Sequence, residues 1–290
     1  MFTGSHVAIV TPFRKGKVDE RALGDLIEWQ IAKGTNGIVP CGTTGESATL
    51  SHEEHNRVIE LTVEVVRRRV PVMAGTGSNS TDEAISLTKH AKQAGADAAL
   101  LITPYYNKPT QEGLYRHYKA IAEAVDLPLV LYNIPGRTGV NMLPATIARL
   151  AGIESIVGVK EGSGVIQQAS DIVQTCGDRL AVLAGDDAMT LPMMAVGGKG
   201  VITVTANIAP TEMANMVKAF AAGNIEEARR IHFQLSPLFA ALFYETNPIP
   251  VKEALGMMGK IDPELRLPLC SMGKDNREKL MQVMKEGRFI

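Results

Sequence analysis

A lysine, a tyrosine and two threonines stand at the ends of apolar runs, where buried strands are expected to finish. Lys160 closes one such run, Tyr132 lies at the end of another, and Thr43 and Thr44 follow a third. A sheltered amine can attack a ketone to form an imine, and a phenol beside it can carry protons. Threonine hydroxyls and turn amides can hold a small carboxylate. This set of side chains predicts carbonyl chemistry through an imine on Lys160.

Each of these side chains also has an ordinary structural interpretation. Lys160 could extend to solvent or pair with the adjacent Glu161. Burial disfavours the ammonium form of a lysine, so a sheltered Lys160 could act as a nucleophile. Successive side chains of a strand point to opposite faces, so we expect Glu161 to face away from Lys160. Tyr132 could equally be a core phenol with a satisfied hydroxyl.

The loop residues near these strand ends also allow both a structural and a binding interpretation. Thr43 and Thr44 could simply cap the turn between Gly42 and Gly45. Arg137 lies in a glycine-flanked loop, where it could be a surface cation or a bidentate clamp for a carboxylate.

The elements that position these residues alternate regularly along the chain. Eight short, nearly continuous apolar runs are typical of parallel strands covered on both faces. The runs span residues 7–10, 37–41, 70–74, 98–102, 128–133, 155–160, 180–184 and 200–204. Amphipathic helical segments follow them at residues 19–33, 51–68, 81–94, 111–124, 144–150, 165–174, 187–196 and 211–220.

Eight strand and helix units in succession predict an α/β fold, a closed (β/α)8 TIM barrel. A doubly wound open sheet uses the same units and is the alternative. In a barrel, reactive groups belong at the carboxyl ends of the strands, so the barrel interpretation brings the separate signals to one face.

The strand pattern stops after about residue 223. Residues 225–235, 247–258 and 274–285 are helical in pattern only. We therefore divide the chain into a barrel carrying the active site, residues 1–223, and a C-terminal helical extension, residues 224–290. The extension is short for a core of its own, so we expect it to be an appendage.

Composition narrows the class of protein. The 290 residues are 45% hydrophobic and 21% charged, with a net charge of −1. The densest basic run, residues 67–69, is expected to be a solvated helix end, so nucleic-acid binding is not expected. No leader or membrane-spanning run is visible. Three isolated cysteines fit a cytoplasmic protein, and we expect Cys41 to be a small buried hydrophobe.

Cofactor motifs are incomplete. Gly75-Thr76-Gly77 lacks the third glycine of a dinucleotide-binding turn, and Gly198-Lys199 is not followed by serine or threonine. His52 and His55 are three residues apart on a helix, without an evident third ligand. We expect no cofactor and no metal.

Taken in order, the motifs resemble the dihydrodipicolinate synthase family of the pyruvate-dependent class I aldolase superfamily. The resemblance covers nearly the whole chain, from Met1-Phe2-Thr3-Gly4 to Arg266-Leu267-Pro268. Its central motifs are Gly42-Thr43-Thr44-Gly45-Glu46-Ser47, Tyr105-Tyr106, Tyr132-Asn133-Ile134-Pro135-Gly136-Arg137-Thr138-Gly139, Val159-Lys160-Glu161 and Asn247-Pro248-Ile249-Pro250-Val251-Lys252.

The resemblance implies a Schiff-base lyase that condenses pyruvate with L-aspartate 4-semialdehyde on the diaminopimelate route to lysine. It implies that Lys160 forms the imine with pyruvate and that Tyr132 shuttles protons. Thr43 and Tyr106 would complete a proton relay, with Tyr106 reaching in from a neighbouring subunit of a homotetramer, a dimer of dimers.

The resemblance also implies binding and regulatory positions. Thr44 and the backbone of Ile202 would hold pyruvate, and Arg137 would bind the carboxylate of the semialdehyde. Seven further positions match the site at which L-lysine inhibits members of the family: Ser47, Ala48, His52, His55, Asn79, Glu83 and Tyr105.

Two alternatives stay open. Another pyruvate aldolase, such as N-acetylneuraminate lyase or a keto-deoxy-sugar-acid aldolase, would use the same scaffold, although Arg137 and the two threonines favour the semialdehyde enzyme. A non-catalytic barrel that binds small acids is the alternative outside enzymes.

Overall fold

The computed structural model describes residues 2–290. Ten strands are present in this part of the chain, eight of them in parallel pairings and two in a small hairpin. They are β1 (Gly4–Ala8), β2 (Phe13–Arg14), β3 (Lys17–Val18), β4 (Gly37–Val39), β5 (Met73–Gly75), β6 (Ala98–Ile102), β7 (Leu129–Asn133), β8 (Ile156–Glu161), β9 (Ala181–Ala184) and β10 (Gly200–Thr203).

Twelve α-helices alternate with or follow these strands within residues 2–290. They are α1 (Glu20–Ala32), α2 (His52–Val66), α3 (Thr81–Ala94), α4 (Gln111–Ala124), α5 (Pro135–Thr138), α6 (Pro144–Leu150), α7 (Ile166–Cys176), α8 (Thr190–Ala195), α9 (Pro210–Ala221), α10 (Ile225–Ala241), α11 (Ile249–Met257) and α12 (Lys274–Glu286).

The chain forms two compact units. The first contains residues 71–202 together with residues 2–4. Its strands pair in parallel and in chain order, from β5 through β6, β7, β8 and β9 to β10. Their side chains are almost entirely buried, as expected for a parallel sheet that is covered on both faces.

The second unit contains residues 5–70 and 203–290. In it β1 pairs in parallel with β4, and β2 pairs with β3 as an antiparallel hairpin. Helices α1 and α2 pack together, and α10 packs on α9. Ser51 caps α2 in a capping box with Glu54, as the sequence pattern indicates.

The predicted (β/α)8 barrel class is confirmed. Eight parallel strands alternate with helices along the chain, and within the first unit each strand pairs with the next without the reversal of a doubly wound sheet. The strand β4 ends at Val39, just before Pro40, which has no backbone N–H for the ladder.

Some details differ from the sequence patterns. The hairpin β2–β3 and the short helix α5 were not predicted, because both are too short to show a hydrophobic period. After residue 223 the described chain contains helices only, as predicted, while the domain boundary at that residue stays a prediction. None of the described helices combines the length and apolar composition that crossing a membrane requires.

Candidate active site

Lys160 is the second-to-last residue of β8 and lies directly opposite Tyr132 of β7 in the parallel ladder. Its side chain is only 5% exposed, so the interpretation in which Lys160 extends to solvent does not hold. Its Nζ atom lies 4.2 Å from the centroid of the Tyr132 ring. The first unit therefore presents an amine and a phenol as neighbours in a buried setting.

Glu161 does not pair with Lys160. One carboxylate oxygen of Glu161 accepts hydrogen bonds from the side-chain amides of Asn133 and Gln168, each at 3.0 Å. The other oxygen accepts the backbone N–H of Ser163 at 2.6 Å. Alternation along β8 sends the two side chains to opposite faces, which is why the neighbouring carboxylate does not reach the amine.

The amide network around Glu161 fixes the ends of β7 and β8. The side-chain amide of Asn133 also donates to Asn141 Oδ1 at 2.8 Å. The side-chain oxygen of Asn133, Oδ1, accepts the backbone N–H of Met142 at 2.9 Å. Because these buried polar groups satisfy one another, the segment after β7 is tied to the strand that carries Lys160.

Two other predicted substrate-binding residues belong to the same unit. Arg137 lies in α5, directly after β7, and is exposed at the surface of the described chain. The helix stops at Gly139, which has a left-handed backbone with φ +73°. Ile202 lies in β10 and is fully buried, so only its backbone is available for polar contact. Their predicted roles stay predictions.

The segments that follow β5 and β6 bring together three residues of the predicted lysine site. The side-chain amide of Asn79 donates to the carbonyl of Tyr105 at 3.2 Å. Glu83 accepts a hydrogen bond from Ser78. Partial burial raises the pKa of the Tyr105 phenol, and the negative charge of Glu83 adds to that increase.

Tyr106 stands out in this segment. It is 90% exposed and has a left-handed backbone, with φ +70°. That backbone conformation is unusual for a bulky residue.

The second unit holds the threonine turn, residues 42–46. Thr44 is buried, and its hydroxyl oxygen accepts a hydrogen bond from Nδ2 of Asn247 at 3.0 Å. Thr43 is half-buried. The hydroxyl of Thr11 donates to the carbonyl of Gly45 at 2.7 Å and so fixes the turn from the side of β1.

A buried ion pair closes the threonine turn. Glu46 has a left-handed backbone, with φ 53°, and its carboxylate accepts a hydrogen bond from Lys252 Nζ at 2.6 Å. Lys252 also donates to the carbonyl of Thr11 at 3.0 Å, and its ammonium lies 4.2 Å from the centroid of the Phe13 ring. Burial lowers the pKa of Lys252, and the charge of Glu46 opposes that decrease.

The remaining predicted residues follow the threonine turn. Ser47 and Ala48 lie in a 3-10 turn, with Ala48 exposed. His52 is exposed in the first turn of α2, and His55 is buried one turn later. No group of three potential metal ligands occurs in residues 2–290.

Cys41 has the structural role that the sequence predicts. It is buried, and its thiol donates to the carbonyl of His55 at 3.6 Å. Burial raises the pKa of the Cys41 thiol far above its usual range, which disfavours the reactive thiolate.

Reasoning from individual residues missed Asn247, Glu46 and Lys252, which appeared only within motifs of the resemblance. One signal was present: Lys252 interrupts the apolar segment of α11, and a charge within such a segment requires a buried partner. The sequence does not say which carboxylate provides it, because Glu46 is 206 positions away.

Comparison with known proteins agrees with these features. The dihydrodipicolinate synthetase family matches residues 1–287. The chain is 62% identical to 4-hydroxy-tetrahydrodipicolinate synthase of Thermodesulfovibrio yellowstonii, with 100% of both chains covered.

Solved structures show the same similarity. One is the chloride-inhibited dihydrodipicolinate synthase of Acinetobacter baumannii complexed with pyruvate, at 50% identity and a TM-score of 0.98 over 100% of both chains. Another is the enzyme of Cyanidioschyzon merolae with lysine bound, at 41% identity and a TM-score of 0.97, over 100% of this chain and 99% of that one.

Proposed function

Since the chain belongs to the dihydrodipicolinate synthetase family, we propose that it condenses pyruvate with L-aspartate 4-semialdehyde through an imine on Lys160. This is 4-hydroxy-tetrahydrodipicolinate synthase activity, a class I lyase reaction. The observation that supports it most strongly is the burial of Lys160 beside Tyr132, with the adjacent Glu161 engaged by neutral donors. A lysine in such a place is suited to attack a ketone.

The proposed reaction proceeds through an imine and then an enamine. The neutral amine of Lys160 attacks the keto carbon of pyruvate, and loss of water from the carbinolamine gives the imine. The protonated imine draws electrons from the adjacent methyl carbon, which loses a proton to give an enamine. The enamine carbon attacks the aldehyde of the second substrate, and the aldehyde oxygen takes a proton. The amino group of the semialdehyde portion then adds to the imine carbon and expels the amine of Lys160, which closes the ring and frees the enzyme.

Each proton in this sequence needs a group that both gives and receives it. We assign that role to Tyr132, whose ring is next to the amine, with Thr43 and Tyr106 completing the relay. Thr44 and the backbone of Ile202 hold the carboxylate of pyruvate, and Arg137 holds that of the semialdehyde. A guanidinium suits this task because it binds a carboxylate in a bidentate manner.

One experiment tests the central claim. The protein is incubated with pyruvate, reduced with borohydride and digested, and the mass of the peptide containing Lys160 is measured. We expect a stable pyruvate adduct on Lys160 alone. Absence of the adduct would refute imine chemistry and favour a barrel that only binds small acids.

A second measurement tests the aldehyde substrate. Turnover with L-aspartate 4-semialdehyde is compared with turnover of N-acetylneuraminate and of keto-deoxy-sugar acids under the same conditions. We expect the semialdehyde to be the preferred substrate. Preference for a sugar acid would assign the chain to another branch of the pyruvate aldolases.

We also propose that the enzyme is a homotetramer, a dimer of dimers, in which Tyr106 serves the neighbouring subunit. The exposed ring and left-handed backbone of Tyr106 support this, because a second copy would cover the ring. Mixing a Tyr106→Phe protein with a Lys160→Ala protein after subunit exchange should restore part of the activity. No recovery in mixed oligomers would place Tyr106 in its own subunit's site.

L-Lysine is the proposed feedback inhibitor, because the product leads to lysine by the diaminopimelate route. Asn79, Glu83 and Tyr105 already lie together in the first unit, and Glu83 offers a carboxylate to an ammonium group. Millimolar L-lysine should lower turnover, and Glu83→Gln should relieve that inhibition. Unchanged turnover in the wild-type protein would remove the regulatory claim and leave the catalytic one.

The cytoplasm is the compartment that fits this function. Cys41, Cys176 and Cys270 are all free thiols, which is the usual state in a reducing compartment.

A further inference from the structure

We infer that Asn247 is a positioning residue, which orients the hydroxyl of Thr44 so that it donates its hydrogen to the carboxylate of the keto acid. The inference rests on the proposed function, since it assigns how the proposed pyruvate-binding residue is prepared for its ligand. The contacts that support it all lie within the second unit.

The hydrogen bond between these residues has a defined direction. Nδ2 of Asn247 is a donor only, so the hydroxyl oxygen of Thr44 accepts at 3.0 Å. Both side chains are buried. In the described chain the Thr44 hydroxyl bonds to Asn247 as an acceptor. Its own hydrogen is therefore left to donate, and an anion is the ligand that a buried donor of this kind favours.

The backbone on each side of Thr44 is fixed as well. Thr11 donates to the carbonyl of Gly45, and Lys252 holds the left-handed Glu46 through the buried ion pair. Asn247 and Lys252 belong to the same short stretch at the start of α11. This stretch thus controls both the shape of the threonine turn and the direction of its hydroxyl.

Removal of the Asn247 donor has a specific consequence. Without it the Thr44 hydroxyl can rotate and use its hydrogen elsewhere, so the orientation that suits a carboxylate is no longer prepared in advance. The expected defect is weaker capture of pyruvate, with a smaller effect on the chemical steps at Lys160.

The test measures the pyruvate concentration that half-saturates borohydride trapping on Lys160, together with KM and kcat for pyruvate. Four proteins are compared: wild type, Asn247→Ala, Thr44→Val and the double variant. Asn247→Ala should raise half-saturation about tenfold, as expected for a weakened hydrogen bond to a charged group, with a smaller change in kcat. The double variant should match Thr44→Val, because Asn247 acts through that hydroxyl.

Two further variants test whether the effect of Asn247→Ala on half-saturation is merely structural. Asn276→Ala removes a comparable amide, which donates to Glu245 at 2.9 Å in the same unit, and should leave half-saturation unchanged. If Asn247→Ala does not fold, the isosteric Asn247→Asp replaces it. That variant also lacks the donor, and it should raise half-saturation at least as much.

The outcomes separate this inference from the proposed function. Equal losses from Asn247→Ala with and without Thr44 would overturn the inference, as would unchanged half-saturation in an Asn247→Ala protein that traps pyruvate. A wild-type protein that gains no mass at all would overturn the inference and the proposed function together.

Discussion

Two buried lysines in this protein have opposite surroundings. Lys160, in the first unit, is 5% exposed, and Lys252, in the second, is fully buried. Each Nζ atom lies 4.2 Å from the centroid of an aromatic ring, Tyr132 for Lys160 and Phe13 for Lys252. Burial and an aromatic neighbour are therefore common to both lysines.

The difference between the two lysines is the carboxylate. Lys252 contacts Glu46 at 2.6 Å and donates to a backbone carbonyl, so its charge is compensated. Lys160 forms no ion pair within the described residues, and the adjacent Glu161 is occupied by Asn133 and Gln168. A compensated ammonium is a structural group, whereas an uncompensated buried amine is suited to react. The pairing of each lysine, more than its burial, indicates its role.

The largest effect is expected when the proposed nucleophile, Lys160, is removed. Lys160→Met should abolish pyruvate trapping and lower kcat/KM by roughly a thousandfold or more, as loss of a nucleophile does. The free energy of unfolding should be unchanged or higher, because methionine fills a similar space without burying a polar group that lacks an ion-pair partner. Trapping assays and urea unfolding measure the two effects. A destabilised Lys160→Met protein would contradict the comparison.

The phenol beside that amine gives the next effect. Tyr132→Phe keeps the ring but removes the proton donor, so turnover should fall about 10²- to 10⁴-fold, the range for general acid–base catalysis. Borohydride should still trap pyruvate on Lys160, although more slowly. Steady-state kinetics and peptide mass spectrometry check this, and full activity would exclude Tyr132 from proton transfer.

Substitution of Lys252 should lower stability and leave imine formation on Lys160 intact. Lys252→Met leaves Glu46 as a buried, uncompensated charge and should lower the free energy of unfolding by about 3–5 kcal/mol. Trapping on Lys160 should persist in the folded fraction. Urea unfolding measures the loss, and adding Glu46→Gln should recover part of it.

A matched control tests whether the loss of stability depends on the burial of the ion pair. Arg277→Met removes a cation from the more exposed pair with Glu253 and should cost at most about 1 kcal/mol. An equal loss from Arg277→Met and Lys252→Met would mean that burial of the ion pair does not matter.

His117 extends the comparison to a third buried basic group and has the smallest expected effect. Its Nδ1 lies 2.9 Å from the Thr81 hydroxyl, and burial lowers the pKa of His117 from 6.5 to about 4. The folded state therefore binds this proton less readily than the unfolded state. Stability contributed by neutral His117 is present above about pH 6.5 and is lost as the pH falls toward 4.

The shift corresponds to about 3 kcal/mol at most. Unfolding of the wild type and of His117→Asn should be measured between pH 7 and 4. The variant should show a shallower decrease in stability with falling pH. Parallel pH profiles would mean that His117 is not a source of the acid sensitivity.

Much of the local structure could be predicted from the sequence. The bounds of α3, α4 and α6 match the predicted segments at 81–94, 111–124 and 144–150, because a strong amphipathic period with clear ends specifies a helix locally. The eight strand segments were also found, since apolar runs between helices are typical of buried parallel strands.

The candidate site was predictable to a different extent. The sequence showed the types of residue in the site, namely an amine, a phenol and hydroxyls at strand ends. The family resemblance gave their proposed roles. Asn247 and Lys252 were not assigned from residue patterns, because their partners Thr44 and Glu46 are more than 200 positions away. A local period carries no information about contacts at that separation.

The sequence by itself determined the alternation of strands and helices, and with it the (β/α)8 class and the strand positions of Lys160 and Tyr132. The tertiary structure decided which lysine has a carboxylate partner and which does not. The physical reason is that hydrophobic periodicity depends on neighbours along the chain. Charge compensation depends instead on contacts between residues that only folding brings together.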